Sequence, residues 1–139
     1  MGKSVRDVMT SNPASIEADS PVVEAARIMK EQDVGIIPVV EGGRLVGTVT
    51  DRDIAVRIVA GGKDPQSVNV REIASTDLVT VDPQQGLDEA LRLMANHQVR
   101  RLPVVGEDGR LVGIVAQADV AREANDKKTG ELVEEISEP

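Results

Sequence analysis

The sequence has no cysteine and no phenylalanine, tyrosine or tryptophan, and its single histidine is His97. Without thiols there is no disulfide framework, and one histidine cannot build a metal cluster. The lack of cysteine also fits a reducing compartment. Without aromatic rings there is no stacking platform for single-stranded nucleic acid. Positive charge is short as well: 16 Lys plus Arg stand against 24 Asp plus Glu, a formal charge of −8 at pH 7. Binding to a nucleic-acid backbone needs cations to neutralise phosphates, so that function class is excluded. No apolar run approaches the roughly 18 residues of a membrane span. The N-terminal segment Met1-Gly-Lys-Ser-Val-Arg6 has no signal-peptide core, and Arg6 stands where a myristoylation motif needs Ser or Thr. The expectation is a cytoplasmic protein with neither a nucleic-acid nor a membrane partner.

What is present is a globular composition, 40% apolar and 29% charged over 139 residues, enough for one compact domain or two small ones. The 22 valines imply a core of branched aliphatic side chains. Self-comparison then organises the chain. Val5-Arg6-Asp7-Val8 returns as Val70-Arg71-Glu72-Ile73, and Glu24-Ala25-Ala26-Arg27-Ile28-Met29 as Glu89-Ala90-Leu91-Arg92-Leu93-Met94. Pro38-Val39-Val40 matches Pro103-Val104-Val105, and Gly43-Arg44-Leu45-Val46-Gly47 matches Gly109-Arg110-Leu111-Val112-Gly113. The offset grows from 65 to 66 residues at a Gly-rich turn, where a β-hairpin tolerates an insertion. The expected organisation is a first copy over 4–60, a linker over 61–69, a second copy over 70–126 and an acidic tail over 127–139.

Within copy one, Ser4 to Met9 reads as a helical turn and Ala14 to Ile16 as a short extended piece. Ser20-Pro21 reads as an N-cap followed by Pro at the first helical position. Val22, Ala25, Ala26, Ile28 and Met29 then recur at helical spacing. Strands are expected at Ile36 to Val40 and Arg44 to Val49, and a second helix from Asp51 to Val59. Copy two repeats the order: Leu78 to Val81, helix Leu87 to His97, strands Arg101 to Val105 and Arg110 to Val115, helix from Gln117 to about Asn125. The expectation is an α/β (α+β) fold of two β-α-β-β-α motifs packed sheet to sheet about a pseudo-twofold axis. Val39, Val46, Val104 and Val112 would share one core.

The tandem copies, the Ile37-Pro-Val-Val40 strand, the Gly-Arg-Leu-Val-Gly hairpins and Thr50-Asp51-Arg52-Asp53 resemble the cystathionine-β-synthase (CBS) domain, two of which pair into a Bateman module. Thr50-Asp-Arg-Asp-Ile54, Ala60-Gly-Gly-Lys-Asp-Pro65 and His97-Gln-Val-Arg-Arg-Leu-Pro-Val104 are similar to small stand-alone CBS-pair proteins of the hypoxic response protein type. The resemblance implies an adenosine ligand (AMP, ADP, ATP or a related adenosyl compound) held in clefts between the copies. It also implies a flat homodimer and regulation of a protein partner in trans, with no catalysis.

The family's ribose signature, Gly-x-x-Ser/Thr-x-x-Asp, appears as Gly47, Thr50 and Asp53, and Thr48 on the same strand is counted with them. The resemblance gives Asp53 the ribose hydroxyls. The same Thr-x-x-Asp spacing is also a helix capping box, and the two roles are partly compatible. Copy two keeps Asp119 but has Ala116 in place of the hydroxyl. By the same resemblance Leu78 and Val79 take the adenine, and Arg100 and Arg101 reach phosphates. The alternative for the two arginines is a solvated or dimer-interface pair. The segment opposite Asp119, Val34-Gly35-Ile36-Ile37, carries no charge, so one phosphate-competent site and one degenerate site are expected. Nothing supports an active centre: Gly42-Gly43 and Gly61-Gly62 are not followed by Lys-Ser/Thr, and no metal spacing exists. The competing function is a ligand-free structural or interaction protein that keeps the fold.

Overall fold

A computed structural model of the chain describes residues 2–123. Helix α1 (Val5–Val8) leads to β1 (Thr10–Ser11), β2 (Ile16–Glu17), α2 (Val22–Gln32), β3 (Ile36–Glu41) and β4 (Arg44–Thr50). Helix α3 starts at Asp51–Asp53 and runs on as a π-helix over Ile54–Val59. A 3-10 turn at Val70–Glu72 opens the second copy, followed by α4 (Leu87–His97), β5 (Arg101–Val105), β6 (Leu111–Ala116) and a last helix, α5, over 117–123. The result is a mixed α/β fold with two three-stranded sheets, ordered β2-β3-β4 and β1-β6-β5.

The chain divides into two compact units, and they are not the two copies. One unit holds 12–78 with the hairpin tip 105–111, the other holds 2–11, 79–104 and 112–123. In each unit the body of one copy takes the lead-in of the other. In the first, Val70 N–H donates to Ser20 O and Val22 N–H to Val68 O, while Ser75 and Thr48 exchange both backbone bonds at 2.8 and 3.0 Å. In the second, Val5 N–H donates to Gln85 O, and β1 pairs antiparallel with β6, Thr10 opposite Ile114. Bodies and lead-ins obey the 65–66 residue offset, so each exchange is the counterpart of the other.

The buried side chains form two clusters, where the sequence suggests one shared core. Val39, with half-buried Val46 packed against its cluster, sits under α2 with Ile37, Val49 and Ile58. Val104 and half-buried Val112 pack with Val5, Met94, Leu102, Val115 and Val120. Each sheet thus has its own helical cover, and the lead-in residues Val70, Ile73 and Val5 fill the cluster of the unit they have joined.

Four expectations shift. The extended piece expected at Ala14 to Ile16 is Ile16–Glu17. Ser20 is not the N-cap. Pro21 is, with φ −69° and ψ 149°, and its carbonyl accepts the first helical bond, from Glu24 N–H at 3.0 Å. The strand expected at Leu78 to Val81 reduces to one bridge, Val81 to Val104. In copy one Ala18 N–H donates to Val40 O, extending the ladder past β2. Its counterpart is Pro83, which has no N–H, and the N–H of Asp82 turns away to Gln85 Oε1 at 2.7 Å. Finally, Arg110 precedes β6 and pairs across the hairpin tips with Arg44. The expected helix end at Asn125 and the tail 127–139 lie outside the described residues.

Candidate functional site

The copy-one signature occupies the corner where β4 becomes α3. Val49 is fully buried, so strand alternation puts half-buried Thr48 and Thr50 on the other face of β4. At the corner the capping box is closed: Thr50 N–H donates to Asp53 Oδ2 at 2.9 Å and Asp53 N–H to Thr50 Oγ1 at 3.1 Å. One carboxylate oxygen is spent on the cap, and Asp53 Oδ1 has no hydrogen bond among the described residues. A carboxylate offers about four acceptor positions, so a half-buried Asp53 can cap the helix and still accept from a diol. The helix start is also anchored from behind, by Asp51 N–H donating to Gly35 O at 3.0 Å.

Gly47, the first residue of the signature, has a different task. A Cβ there would lie 2.9 Å from Ser75 O and 3.1 Å from the Ala74 Cβ, so the glycine makes room for the lead-in that joins β4. Gly113 does the same for β1, where a Cβ would meet Met9 Sδ at 2.6 Å and Thr10 O at 2.9 Å. Thr48 has both backbone groups committed to Ser75, and its hydroxyl has no partner among the described residues. Ser75 escaped the reading of the sequence. Its signal was the offset from Thr10, which marks it as an edge partner only once the exchange is seen.

The copy-two corner is built alike and differs in its side chains. Gln117 N–H donates to Arg100 O at 2.7 Å, the counterpart of Asp51 to Gly35. Ala116 leaves the Asp119 N–H without the hydroxyl acceptor that Thr50 provides in copy one, and the Asp119 carboxylate lies 3.7 Å from the Arg122 guanidinium one turn on. Arg100 is exposed at the turn before β5, and Arg101 is half-buried at its first position. Neither guanidinium has a hydrogen bond or ion pair among the described residues. Adjacent strand residues face opposite ways. Leu78 and Val79 are both half-buried, and Val79 packs on the Val104 cluster. The structure therefore brings Thr48, Thr50 and Asp53 together at one corner. It places Arg100 and Arg101 beside the other corner's helix start, in the unit that also holds Val79 and Asp119.

Elsewhere on the described surface, Arg71 has two carboxylate partners. Arg71 donates to Glu41 Oε1 at 2.6 Å and to Asp19 Oδ1 at 3.3 Å, and these bonds, Glu41 first, hold its pKa above the usual arginine value. No three His, Cys, Asp or Glu side chains among the described residues gather as a metal site. No described helix is long and apolar enough to cross a membrane.

Comparison with known proteins matches the CBS domain twice, at residues 5–60 and 70–126. A CBS domain-containing protein of Bacillus subtilis, YhcV, is 46% identical over 135 residues, covering 96% of this chain and 95% of the relative. Hypoxic response protein 1 of Mycobacterium tuberculosis is 36% identical over 137 residues, covering 98% and 95%. Among solved structures, CBSX2 in complex with AMP superposes with a TM-score of 0.78 at 29% identity, covering 91% of this chain and 99% of that one. The CBS domain pair of protein MJ0100, in complex with 5'-methylthioadenosine and S-adenosyl-L-methionine, gives 0.78 at 27%, with the same coverage.

Proposed function

Because the chain belongs to the CBS-domain family, with two copies of that domain, we propose that it is a regulatory module that binds an adenine nucleotide, AMP, ADP or ATP or a related adenosyl ligand, and acts in trans on a protein partner. The named ligands of two structural neighbours, AMP in one and two adenosyl compounds in the other, support this class. The proposed roles are residue by residue. Asp53, with Thr50 and Thr48, accepts and orients the ribose; Leu78 and Val79 cover the adenine; Arg100 and Arg101 take the phosphates. Asp119 is assigned to a weaker second site, since Ala116 removes its neighbouring hydroxyl.

The observation that carries the reading is the unpartnered state of Arg100 and Arg101 among the described residues, set against an Asp53 whose Oδ1 stays open. Titration calorimetry with adenosine and AMP tests it. Arg100→Ala or Arg101→Ala should weaken AMP at least tenfold while adenosine changes little. Equal losses for both ligands would remove the phosphate role. The second reading, a ligand-free interaction protein, draws on the closed capping box, which gives Thr50 and Asp53 a structural task without any ligand. Absence of a thermal shift with AMP, ADP, ATP and S-adenosylmethionine alike would favour it.

The assembly we propose is a homodimer in the cytoplasm. Val56 and Val59, 55% and 73% exposed on the π-helix, are the large apolar side chains that the described fold leaves in solvent. Light scattering should report about twice the 14.8 kDa chain mass at micromolar concentration, and a monomer with and without nucleotide would refute it.

A further inference from the structure

At the tips of the two hairpins the chain sets two arginines against each other. Leu45 N–H donates to Gly109 O at 3.0 Å and Leu111 N–H to Gly43 O at 3.1 Å, which makes Arg44 and Arg110 directly opposed residues of an antiparallel bridge. The bonds flank the pair and none joins it, so it is a non-hydrogen-bonded pair. In such a pair the two side chains leave on one face and lie closer than in the bonded kind. Like charges placed directly opposite repel and weaken the pairing.

No carboxylate among the described residues offsets that repulsion. Glu41, the cross-strand partner of Arg44 within its own hairpin, is engaged by Arg71 at 2.6 Å. Glu107 and Asp108 share a turn with Arg110, yet neither forms an ion pair with either arginine. Both arginines are exposed. Arg44 Nε–H donates to the Asp108 carbonyl at 2.7 Å, and its terminal N–H groups have no partner among the described residues. The Arg110 guanidinium lies over the opposite turn, its Nη1 2.9 Å from where a Cβ on Gly43 would stand, and it has no hydrogen bond or ion pair among the described residues. Gly43 at φ 84° and Gly109 at φ 76° shape the two turns. Backbone bonds between the tips therefore hold two guanidinium groups side by side with their N–H groups unspent.

We propose that the Arg44–Arg110 pair is a binding site for a phosphate dianion carried by a small soluble ligand. Two positive charges match a dianion, and two planar forks match the several oxygens of a phosphate, each accepting charge-assisted N–H bonds. An anion between the arginines turns one repulsion into two attractions. A carboxylate brings a single charge and two oxygens, so it satisfies one fork and leaves the other. The formal charge of −8 on the chain opposes a long polyanion, and the fit is to one compact anionic group. The site uses none of the residues assigned to the nucleotide and stands whether or not that assignment does.

An NMR titration of the full chain with inorganic phosphate decides it, at constant ionic strength and about pH 8, where a phosphate group is mostly dianionic. The amides of Arg44, Leu45, Arg110 and Leu111 should shift saturably with phosphate and scarcely move with acetate. Arg110→Gln should weaken phosphate at least about tenfold. Arg110 makes no hydrogen bond within the described fold, and the variant loses one of two opposed charges, so its melting temperature without phosphate should be no lower than that of the unaltered chain. Equal shifts in Arg110→Gln and the unaltered chain would overturn the site, and so would equal shifts with acetate. Shifts confined to Arg100 and Arg101 would also overturn it, by placing the phosphate with the nucleotide residues. A phosphoserine peptide that binds at least about tenfold tighter than phosphate would overturn the assignment to a small ligand, since the phosphate would then belong to a modified protein.

Discussion

At the scale of single residues, the two strand-to-helix corners are a comparison within one chain. Thr50 caps and Ala116 does not, although both precede an Asp three residues on. Thr50→Ala should therefore cost about 1 kcal/mol of stability, and Ala116→Thr should recover part of that for the second corner, both read by urea denaturation. Asp53 holds the cap and, in our reading, the ribose; Asp53→Asn separates these roles. Its amide oxygen still accepts from Thr50 N–H, so the denaturation midpoint should move little. Adenosine affinity should nevertheless fall by about 1.5–3 kcal/mol as a charge-assisted acceptor is lost. Asp119→Asn should cost less. An adenosine affinity unchanged by Asp53→Asn would leave Thr50-x-x-Asp53 as a helix cap alone. The capping geometry was legible in the spacing of Thr50 and Asp53. Which carboxylate oxygen stays open was not, because that follows from the path of the backbone at the corner.

Secondary-structure elements show where the reading of the sequence was reliable and where it was not. Helix α4 and strand β5 fall on Leu87–His97 and Arg101–Val105, as the periodicity predicts, since long apolar patterns fix element type well. The strand expected at Leu78 to Val81 failed for a reason outside its own residues: Pro83 cannot give the N–H that Ala18 gives to Val40 O. Gly47 and Gly113 read in the sequence as parts of a ligand signature and of a hairpin. Their geometry shows them as the two points where a foreign lead-in crosses close to a strand. Gly47→Ala would drive a Cβ to 2.9 Å from the Ser75 carbonyl, and Gly113→Ala to 2.6 Å from Met9 Sδ. The expected cost is about 1–3 kcal/mol each. Each added Cβ also meets a backbone carbonyl at 2.9 Å, Ser75 O for Gly47 and Thr10 O for Gly113, so both changes should register. Equal and negligible changes in the denaturation midpoint would mean that the lead-ins are held loosely.

The whole molecule is where the sequence was least informative, because a repeat offset says which residues are equivalent and not which ones touch. Each unit completes its core with the other copy's lead-in, so the compact units do not coincide with the repeats. A fragment of residues 4–60 contains every strand of the first sheet, yet lacks Val70 and Ile73, 0% and 2% exposed in that cluster, and the Ser75 partner of Thr48. Burying two such side chains is worth about 1.5–3 kcal/mol each, against a total stability of about 5–15 kcal/mol for a domain. The fragment also carries Val5, which has lost the Gln85 carbonyl and the aliphatic cluster that receive it. Residues 12–78 keep the exchanged lead-in and shed the one that has no home. By circular dichroism the 4–60 fragment should be largely unfolded at 25 °C, and the 12–78 fragment should hold more helix and melt with a sharper transition. Two fragments of equal helicity, or a cooperative melt from 4–60, would show that the exchanged lead-ins are ornament to a repeat that already folds by itself.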